Sequence, residues 1–551
     1  MSLDTVKITV DGKDFYTKKG TTLEAIAKEF EKDFKHPILV AKANNSLKEL
    51  NYKVEKPKNI TFLDLTSKEG NRLHINTLVF ILSVAVKELY GIKYDIRSRH
   101  SIDKGLYIGT NFVLTESRLE DIKKKMEEII NEERPITKLN VDRLEARDYF
   151  SKIGDKSKVN ILKYITNSYI TLYKLGNYYD YFYTRMPINT KYVKEFDLTY
   201  ISKDGLVLRF PTIYNSDTIK EYQDHPGMFK AFKDCSDWAK TMNVTDASLL
   251  NDAVSTGKID EFIRINEAKQ NNELLELAKR IKNNGELKAV LLAGPSSSGK
   301  TTTSKKLCMF LKSFGVKPLV ISMDDYFVER EETPVDENGK PDYECLEAVD
   351  LKLLDKQLQE LVSGEEVTLP TYNFLTGKKE FKEKAKLDPN GIIVMEGIHA
   401  LDDKILKNSN GKNVFRIYIS ALTELNIDNH NCISTTSNRL LRRIVRDNKT
   451  RGHSVQKTLS SWGEVRTGEE KYIFPYQDNA DYVFNSGLLY EIGILKTYVE
   501  PLLYSVDPRD SCYEEAKRLI NFLGFFLPIP ADAIPQDSVL REFIGGSCFY
   551  E

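Results

Sequence analysis

The stretch Gly294-Pro-Ser-Ser-Ser-Gly-Lys-Thr301 constrains this chain more than any other, because an apolar run precedes it and a helical run follows it. It fits Gly-x-x-x-x-Gly-Lys-[Ser/Thr] in the strand-then-helix setting that this pattern requires. Lys288–Ala293 reads as a short buried strand. Thr302–Phe314 reads as a helix, with Leu307, Phe310, Leu311 and Phe314 at helical spacing. Glycines at 294 and 299 let the backbone curl until successive N–H groups converge on phosphate oxygens, and the helix N-terminus adds partial positive charge. The predicted binding residues are Gly294, Ser296, Ser297, Ser298, Gly299, Lys300, Thr301 and Thr302. Lys300 is expected to reach the outer phosphates and the Thr301 hydroxyl to sit on Mg²⁺. The expected ligand is a nucleoside triphosphate.

A chain of 551 residues accommodates about three or four domains. Hydrophobic residues make up 41% and charged residues 29%, an ordinary balance for globular protein. The formal net charge of −1 excludes a global basic field of the kind that drives non-specific nucleic-acid binding. Cys235, Cys308, Cys345, Cys432, Cys512 and Cys548 are scattered, which speaks against a zinc site or a disulfide framework. No apolar run is expected to approach the ~18 residues of a membrane helix. The opening Met-Ser-Leu-Asp-Thr-Val-Lys lacks a signal-peptide core. The expectation is a cytoplasmic protein without a membrane contact.

Along the chain, residues 4–65 look like a small α+β module. Val6–Val10 alternates like a strand, Asp11-Gly12 supplies a hairpin turn, and Thr21-Thr-Leu-Glu24 resembles a capping box opening a helix over Leu23–Phe30. Pro37–Ala41 and Ile60–Asp64 complete the expected sheet. Residues 70–240 read as a second α+β region with helices over Thr77–Leu89 and Glu116–Glu132 and strands near Phe196–Ile201 and Leu206–Phe210. Residues 255–284 read as a charged connecting helix. Apolar runs at 288–293, 317–322, 391–396, 414–420 and 481–485 then alternate with helical segments, the signature of a doubly wound parallel sheet. Residues 505–551 form a tail with a helix near Tyr513–Phe526, expected to dock through Phe543, Ile544 and Phe549.

Two of these strands end in acids. The run at 317–322 leads into Met323-Asp324-Asp325, and Ile392-Ile-Val-Met-Glu396 ends at Gly397. Ligands in open α/β sheets lie at the carboxyl ends of the strands, where such acids can hold Mg²⁺ or accept a proton from an attacking hydroxyl. Arg439, Arg442, Arg443, Arg446 and Arg451 fall within thirteen residues. The first four share one broad helical face, opposite Leu440, Leu441, Ile444 and Val445. Arg451-Gly452 would then end the helix in a turn that closes as a lid over a transferring phosphoryl group.

The order of Gly-x-x-x-Ser-Gly-Lys-Thr, Ser-x-Asp-x-Tyr-Phe, Pro-Asp-Tyr-Glu, Pro-x-Tyr-Asn-Phe, Glu-Gly-Ile and Arg-Leu-x-Arg-Arg-x-x-Arg-Asp resembles the uridine kinase and phosphoribulokinase family over about 290–500. The resemblance implies a kinase using ATP and Mg²⁺. It implies Asp324 as the catalytic base, with Lys300 and the lid arginine Arg451 at the transferred phosphate. Thr301, Asp324 and Glu396 would form the Mg²⁺ shell. The implied acceptor-side residues are Asp342, Tyr372, Asn373, Arg443 and Arg446. Departures fall mostly where the acceptor is read. Tyr372-Asn373-Phe374-Leu-Thr-Gly377 stands where uridine kinases have Tyr-Asp-Phe and a base-reading histidine. Gly339 replaces the aspartate before Pro341-Asp342, and His453 replaces a second lid arginine. Losing such polar partners alters selectivity by orders of magnitude, so uridine itself is not implied.

Residues 4–65 also resemble the TGS domain, a β-grasp module, through Asp11-Gly12, Gly20-Thr-Thr-Leu-Glu24, Pro37–Ala41 and Asn45–Leu50. Residues 70–210 look like the second domain of threonyl-tRNA synthetases, through Arg99-His100-Ser101, Gly105-Leu-Tyr107 and Phe196-Asp-Leu198. That domain edits with a His-x-x-x-His pair and a later Cys/His pair. Here Leu78 follows His74 at that spacing and no Cys-x-x-x-His occurs in 150–230, so no editing activity is expected and His74, His100 and His225 read as structural. The whole order looks like a bacterial fused uridine kinase-like protein. It implies a β-grasp TGS module (1–66), an α+β synthetase-like second domain (67–245), a helical connector (246–285), an α/β P-loop kinase domain (286–505) and a C-terminal tail (506–551). The acceptor is expected to be a hydroxyl on a nucleoside or similar ribose-containing small molecule. The alternative is an ATP-switched protein contacting tRNA or the ribosome through its TGS half, although residues 1–65 carry no basic stripe with interleaved aromatics. The sequence specifies neither the acceptor nor the oligomeric state.

Overall fold

The structure, a computed structural model, describes residues 5–336, 339, 341–373, 376–406, 413–423 and 425–549. Phe374, Leu375 and the N-terminal Met1–Asp4, which enter the motifs above, lie outside these residues.

The apolar runs form one sheet of five parallel strands: β1 (Ala289–Ala293), β2 (Lys317–Ser322), β3 (Gly391–Glu396), β4 (Val414–Ser420) and β5 (Tyr482–Asn485), in the order β2-β3-β1-β4-β5. The central strand β1 is buried along its length because both faces are covered. Its alternate side chains diverge accordingly. Val290 and Leu292 pack against Leu274, Leu277 and Leu307, from α1 (Ile259–Asn283) and α2 (Lys300–Ser313). Ala289, Leu291 and Ala293 pack against Leu354, Leu358 and Met395. Three further helices matter for the site: α3 (Thr435–Arg451), α4 (Val455–Tyr472) and the short α5 (Arg541–Ile544) in the tail. The tail docks as expected at Phe543 and Ile544, both buried, whereas Phe549 is half-buried.

Residues 5–63 hold a five-stranded mixed sheet whose central pair, Thr5–Val10 and Asn59–Leu63, is parallel while its other pairings are antiparallel. Asp11 (φ 46°) and Gly12 (φ 83°) make the expected hairpin turn. The helix there is shorter than expected, Leu23–Ala27. The capping box is also absent: Thr22 accepts from the Ala25 N–H at 3.3 Å, and Glu24 instead accepts from the Tyr192 hydroxyl at 2.8 Å.

The next region is built around the helix Lys68–Tyr90, which begins well before Thr77 because its first turns are polar and Ser67 caps it through the Gly70 N–H at 3.0 Å. This helix is long and apolar enough to span a membrane, which corrects the expectation that no run approached that length. Within the fold 72% of its apolar window is buried, packed against Leu106, Ile108, Ile122, Met126 and Leu206. A three-stranded sheet over Ile136–Asp142, Tyr169–Leu175 and Tyr178–Asp180 had no counterpart in the sequence reading.

Candidate active site

The loop after β1 turns as sharply as its glycines allow. A Cβ on Gly294 would collide with the Ile419 carbonyl oxygen of β4, and Gly299 (φ +82°) would place one 2.5 Å from Val539 Cγ1. Ser297 (φ 60°) also takes the left-handed region. Gly299 stands at the N-cap of α2 without a capping side chain, and the Thr303 N–H donates to the Gly299 carbonyl at 3.0 Å. The N–H groups of Lys300, Thr301 and Thr302 therefore have no intrahelical carbonyl to meet, the arrangement that favours an anion. Lys300 Nζ lies back across the loop, donating to the Gly294 carbonyl at 2.9 Å and the Pro295 carbonyl at 3.4 Å.

Strand register sets the acids. Ser322 of β2 and Leu292 of β1 both pair with Glu396 of β3, so the strands carrying the two acids end beside the loop. Thr301 Oγ1 donates to Glu396 Oε1 at 3.3 Å and Ser322 Oγ to the same oxygen at 3.5 Å. Asp324, exposed at the cleft, belongs to the 3₁₀ turn that follows β2, and its neighbour Asp325 turns away to accept the Tyr372 N–H at 3.1 Å. Burial, then the nearby Asp324, push Glu396 up to about 7. The surrounding protein likewise raises Asp324, opposed by Lys300, Arg451 and Arg446. These groups thus share one electrostatic field. Among the described residues no group of three or more His, Cys, Asp or Glu could hold a metal ion. Two carboxylates and a hydroxyl fit Mg²⁺, which takes one or two protein carboxylates and completes its shell with water and phosphate. Burial and then the repulsion of Asp324 raise Glu396, and a cation there would offset that repulsion.

The arginine helix departs from expectation. Arg439 (1% exposed) and Arg442 (0%) do not face the cleft. Arg439 makes a two-pronged bond to Glu469 of α4, at 2.6 Å on each arm. Arg442 donates to the Ser486 carbonyl at 2.9 Å and pairs with Glu491. Four residues spread over one broad arc have margins that turn inward once α4 and the tail pack on both sides, so these two arginines support the loop from below. Arg443 reaches the loop, donating to Ser296 Oγ at 2.7 Å. Arg443, Arg446 and Arg451 are gathered by the buried Asp447 at 3.1, 3.5 and 3.3 Å. Gly452 (φ +61°) ends α3.

On the acceptor side, Asp342 accepts from the Tyr472 hydroxyl and the Glu344 N–H, both at 3.0 Å. Tyr372 is buried with its ring 5.7 Å from Phe327. Asn373 accepts from the Thr376 N–H at 3.2 Å and donates to Glu380 at 3.4 Å, so its amide builds the turn between Glu366–Asn373 and Lys378–Lys386. Three acids were missed by the sequence reading as site residues. Glu469 accepts the Ser296 N–H at 3.0 Å, and Glu542 of α5 accepts from Thr302. Glu344 is pushed up to about 7 by burial and then by Glu469. A signal existed for Glu469, an acid on the stripe Val455, Leu459, Trp462, Val465 of α4. His74, His100 and His225 occupy separate structural positions. His74 contacts the Glu195 carbonyl at 3.3 Å, His100 stacks on Phe232 at 3.7 Å, and His225 bonds Asp478 at 2.6 Å.

Comparison with known proteins adds to this geometry. The pattern of the Phosphoribulokinase / Uridine kinase family matches residues 290–492. A uridine kinase of Staphylococcus haemolyticus (strain JCSC1435) is 28% identical over 197 residues, 36% of this chain and 86% of that protein. A uridine kinase of Staphylococcus aureus (strain JH9) is 28% identical over 202 residues, again 36% and 86%. Among solved structures, a possible uridine kinase from Bacillus stearothermophilus shows 21% identity, a TM-score of 0.27, and coverage of 39% of this chain and 98% of its own. D-glycerate 3-kinase from Cryptococcus neoformans var. grubii shows 14% identity, a TM-score of 0.21, and coverage of 46% and 87%. The match places a domain of the phosphoribulokinase/uridine kinase family at residues 290–492, and the chain is a phosphotransferase.

Proposed function

We propose that the chain is an ATP-dependent kinase that transfers the γ-phosphate to a hydroxyl of a nucleoside or a similar ribose-containing small molecule. The observation that carries this reading is the convergence of Thr301, Glu396 and Ser322 beside a loop whose Lys300 acts electrostatically on Asp324 of the turn after β2. The acceptor oxygen forms a new bond to the γ-phosphorus as the bond to the β-bridging oxygen breaks, releasing ADP. Asp324 takes the hydroxyl proton, and its raised pKa makes it the stronger acceptor. Lys300 leaves the Gly294 carbonyl to meet the outer phosphates. Thr301, Asp324 and Glu396 would hold Mg²⁺, which when bound neutralises charge on the phosphates. Arg443, Arg446 and Arg451 supply positive charge toward the transferring group, and Asp342 and Tyr372 stand on the acceptor side. Asn373 enters there only through the shape of its hairpin. Incubation with Mg-ATP and a panel of nucleosides, sugars and sugar phosphates tests the proposal. Failure to phosphorylate any acceptor would contradict it.

The N-terminal half is proposed to comprise a TGS-like β-grasp module (1–66) and a synthetase-like region (67–245), joined through a connector (246–285) to the kinase domain (286–505) and tail (506–551) of a cytoplasmic protein. The mixed sheet with a parallel central pair packed on one short helix supports the first of these. A tRNA or ribosome contact through this half is the second reading; a cavity of about 1220 Å³ is lined there by Lys68, Arg72, Lys104, Lys220 and Arg518 together with Glu69, Asp103, Glu221, Glu470 and Glu515, with Arg72 and Arg518 paired to Glu515 and Lys104 to Glu470. Salt-sensitive copurification of tRNA that depends on these lysines and arginines would support it.

A further inference from the structure

The C-terminal tail crosses the phosphate loop at the point where an anion would bind. Glu542 accepts from the Thr302 N–H at 3.3 Å and from Thr302 Oγ1 at 2.7 Å, across 240 residues of sequence. That N–H belongs to the first turn of α2, whose donors a phosphate-binding loop presents to its ligand. Neighbouring contacts fix the tail in this place. Val539 lies against Gly299, the Phe543 ring sits 5.0 Å from the Arg442 guanidinium, and Arg446 approaches Glu542 at 4.0 Å. From α2, Lys305 donates to the Phe549 carbonyl at 2.8 Å and the buried Lys306 pairs with Asp537 at 3.2 Å. From α3, Lys449 donates to the Ile544 carbonyl at 2.5 Å. Ser538 is held by Glu267 of α1 at 2.5 Å. Val539, Leu540, Phe543 and Ile544 are all buried, so the tail backbone is anchored while its Glu542 carboxylate reaches the Thr302 donors.

We infer that Glu542 is a built-in competitor for the nucleotide's phosphates, a carboxylate that occupies the Thr302 donors beside the loop until ATP displaces it. The inference rests on the reading of the loop as an ATP site. Two anions cannot share the Thr302 donors: the phosphate that takes them must turn the Glu542 side chain away, toward Arg446 or into solvent. The competitor therefore lowers apparent affinity by the fraction of molecules in which the donors are free. Its field also reaches the proposed metal acids, since Glu542 is among the groups that raise Glu396. Tail and chemistry are thereby linked.

The experiment compares binding of ATP, inorganic tripolyphosphate and adenosine by calorimetry to the full-length protein and to its Glu542→Gln and Glu542→Ala variants. Thermal unfolding establishes that both variants are folded. Removing one charge-assisted contact predicts about tenfold tighter binding of ATP and tripolyphosphate. Adenosine, which carries no phosphate, is expected to bind equally to all three proteins. Unchanged or weaker ATP binding in both folded variants would overturn the inference, because Glu542 would then be a neutral neighbour or a ligand of the nucleotide. If neither ATP nor tripolyphosphate binds any of the three, the reading of the loop itself fails, and the inference with it.

Discussion

Glu469 joins the arginine helix to the phosphate loop: its carboxylate accepts the Ser296 N–H at 3.0 Å while holding both arms of Arg439 at 2.6 Å. Arg466 adds a third contact at 2.8 Å, and Glu469 itself is fully buried. The position of one loop residue is thus set by an ion pair lodged between α3 and α4.

Breaking this pair from one side is expected to be severe. Glu469→Ala leaves Arg439 buried without its partner, which costs about 3–5 kcal/mol of stability. Glu469→Leu combined with Arg439→Leu removes both charges and should recover much of that loss. Calorimetric unfolding of the three proteins measures the difference. A single variant as stable as the wild type would contradict the assignment.

The acid pair predicts a pH effect. Glu396 has a folded-state pKa of about 7, above its ordinary value of 4.5, so in this window the folded protein binds more protons than the unfolded chain. Without Mg²⁺, its contribution to stability therefore falls as pH rises from about 4.5 to about 7. Glu396→Gln should flatten that part of the profile. Mg²⁺, bound best by the ionised pair, should protect more at pH 8 than at pH 6. Melting temperatures with and without Mg²⁺ test both statements.

His430 predicts a slope at higher pH. It lies in a buried cluster that ties residues 155–180 to the segment between β4 and α3. Lys158 Nζ stands 2.9 Å from Asp180 and 3.1 Å from His430 Nδ1, and His430 Nε2 stands 3.1 Å from Asp95. Burial and Lys158 oppose a charge on the imidazole, but Asp180 and Asp95 outweigh them and raise it to about 9. The resulting stability is complete below the ordinary value of 6.5 and is lost as pH rises through about 9. His430→Gln should abolish that loss, measured by thermal unfolding from pH 6 to 10.

Much of this fold was legible in sequence where periodicity and location agreed. Each of the apolar runs at 288–293, 317–322, 391–396, 414–420 and 481–485 holds a strand of the parallel sheet, and the three inner ones read as continuous hydrophobic stretches because they are buried. The loop, Thr301 and Glu396 meet for the same reason: they sit at strand ends whose register follows from the order of the sheet. What stayed hidden depends on long-range contact. Helical spacing put Arg439 and Arg442 with Arg443, but only α4 and the segment after β5 supply the acids that bury them. Asn373 matched a family position, yet its amide is held in a hairpin turn. Glu542 lies 240 residues from Thr302, and no local pattern could place it there.

The central claim is that Asp324 takes the proton of an acceptor hydroxyl beside a triphosphate held under Lys300. The most direct measurement is transfer of radiolabelled γ-phosphate from Mg-ATP to the nucleoside panel, by wild-type protein and by Asp324→Asn, with ATP affinity determined for both. The account predicts a labelled acceptor with the wild type, a loss of about 10²–10⁴-fold in kcat with the variant, and ATP binding retained. Equal turnover by the two proteins, or no labelled acceptor with either, would contradict it.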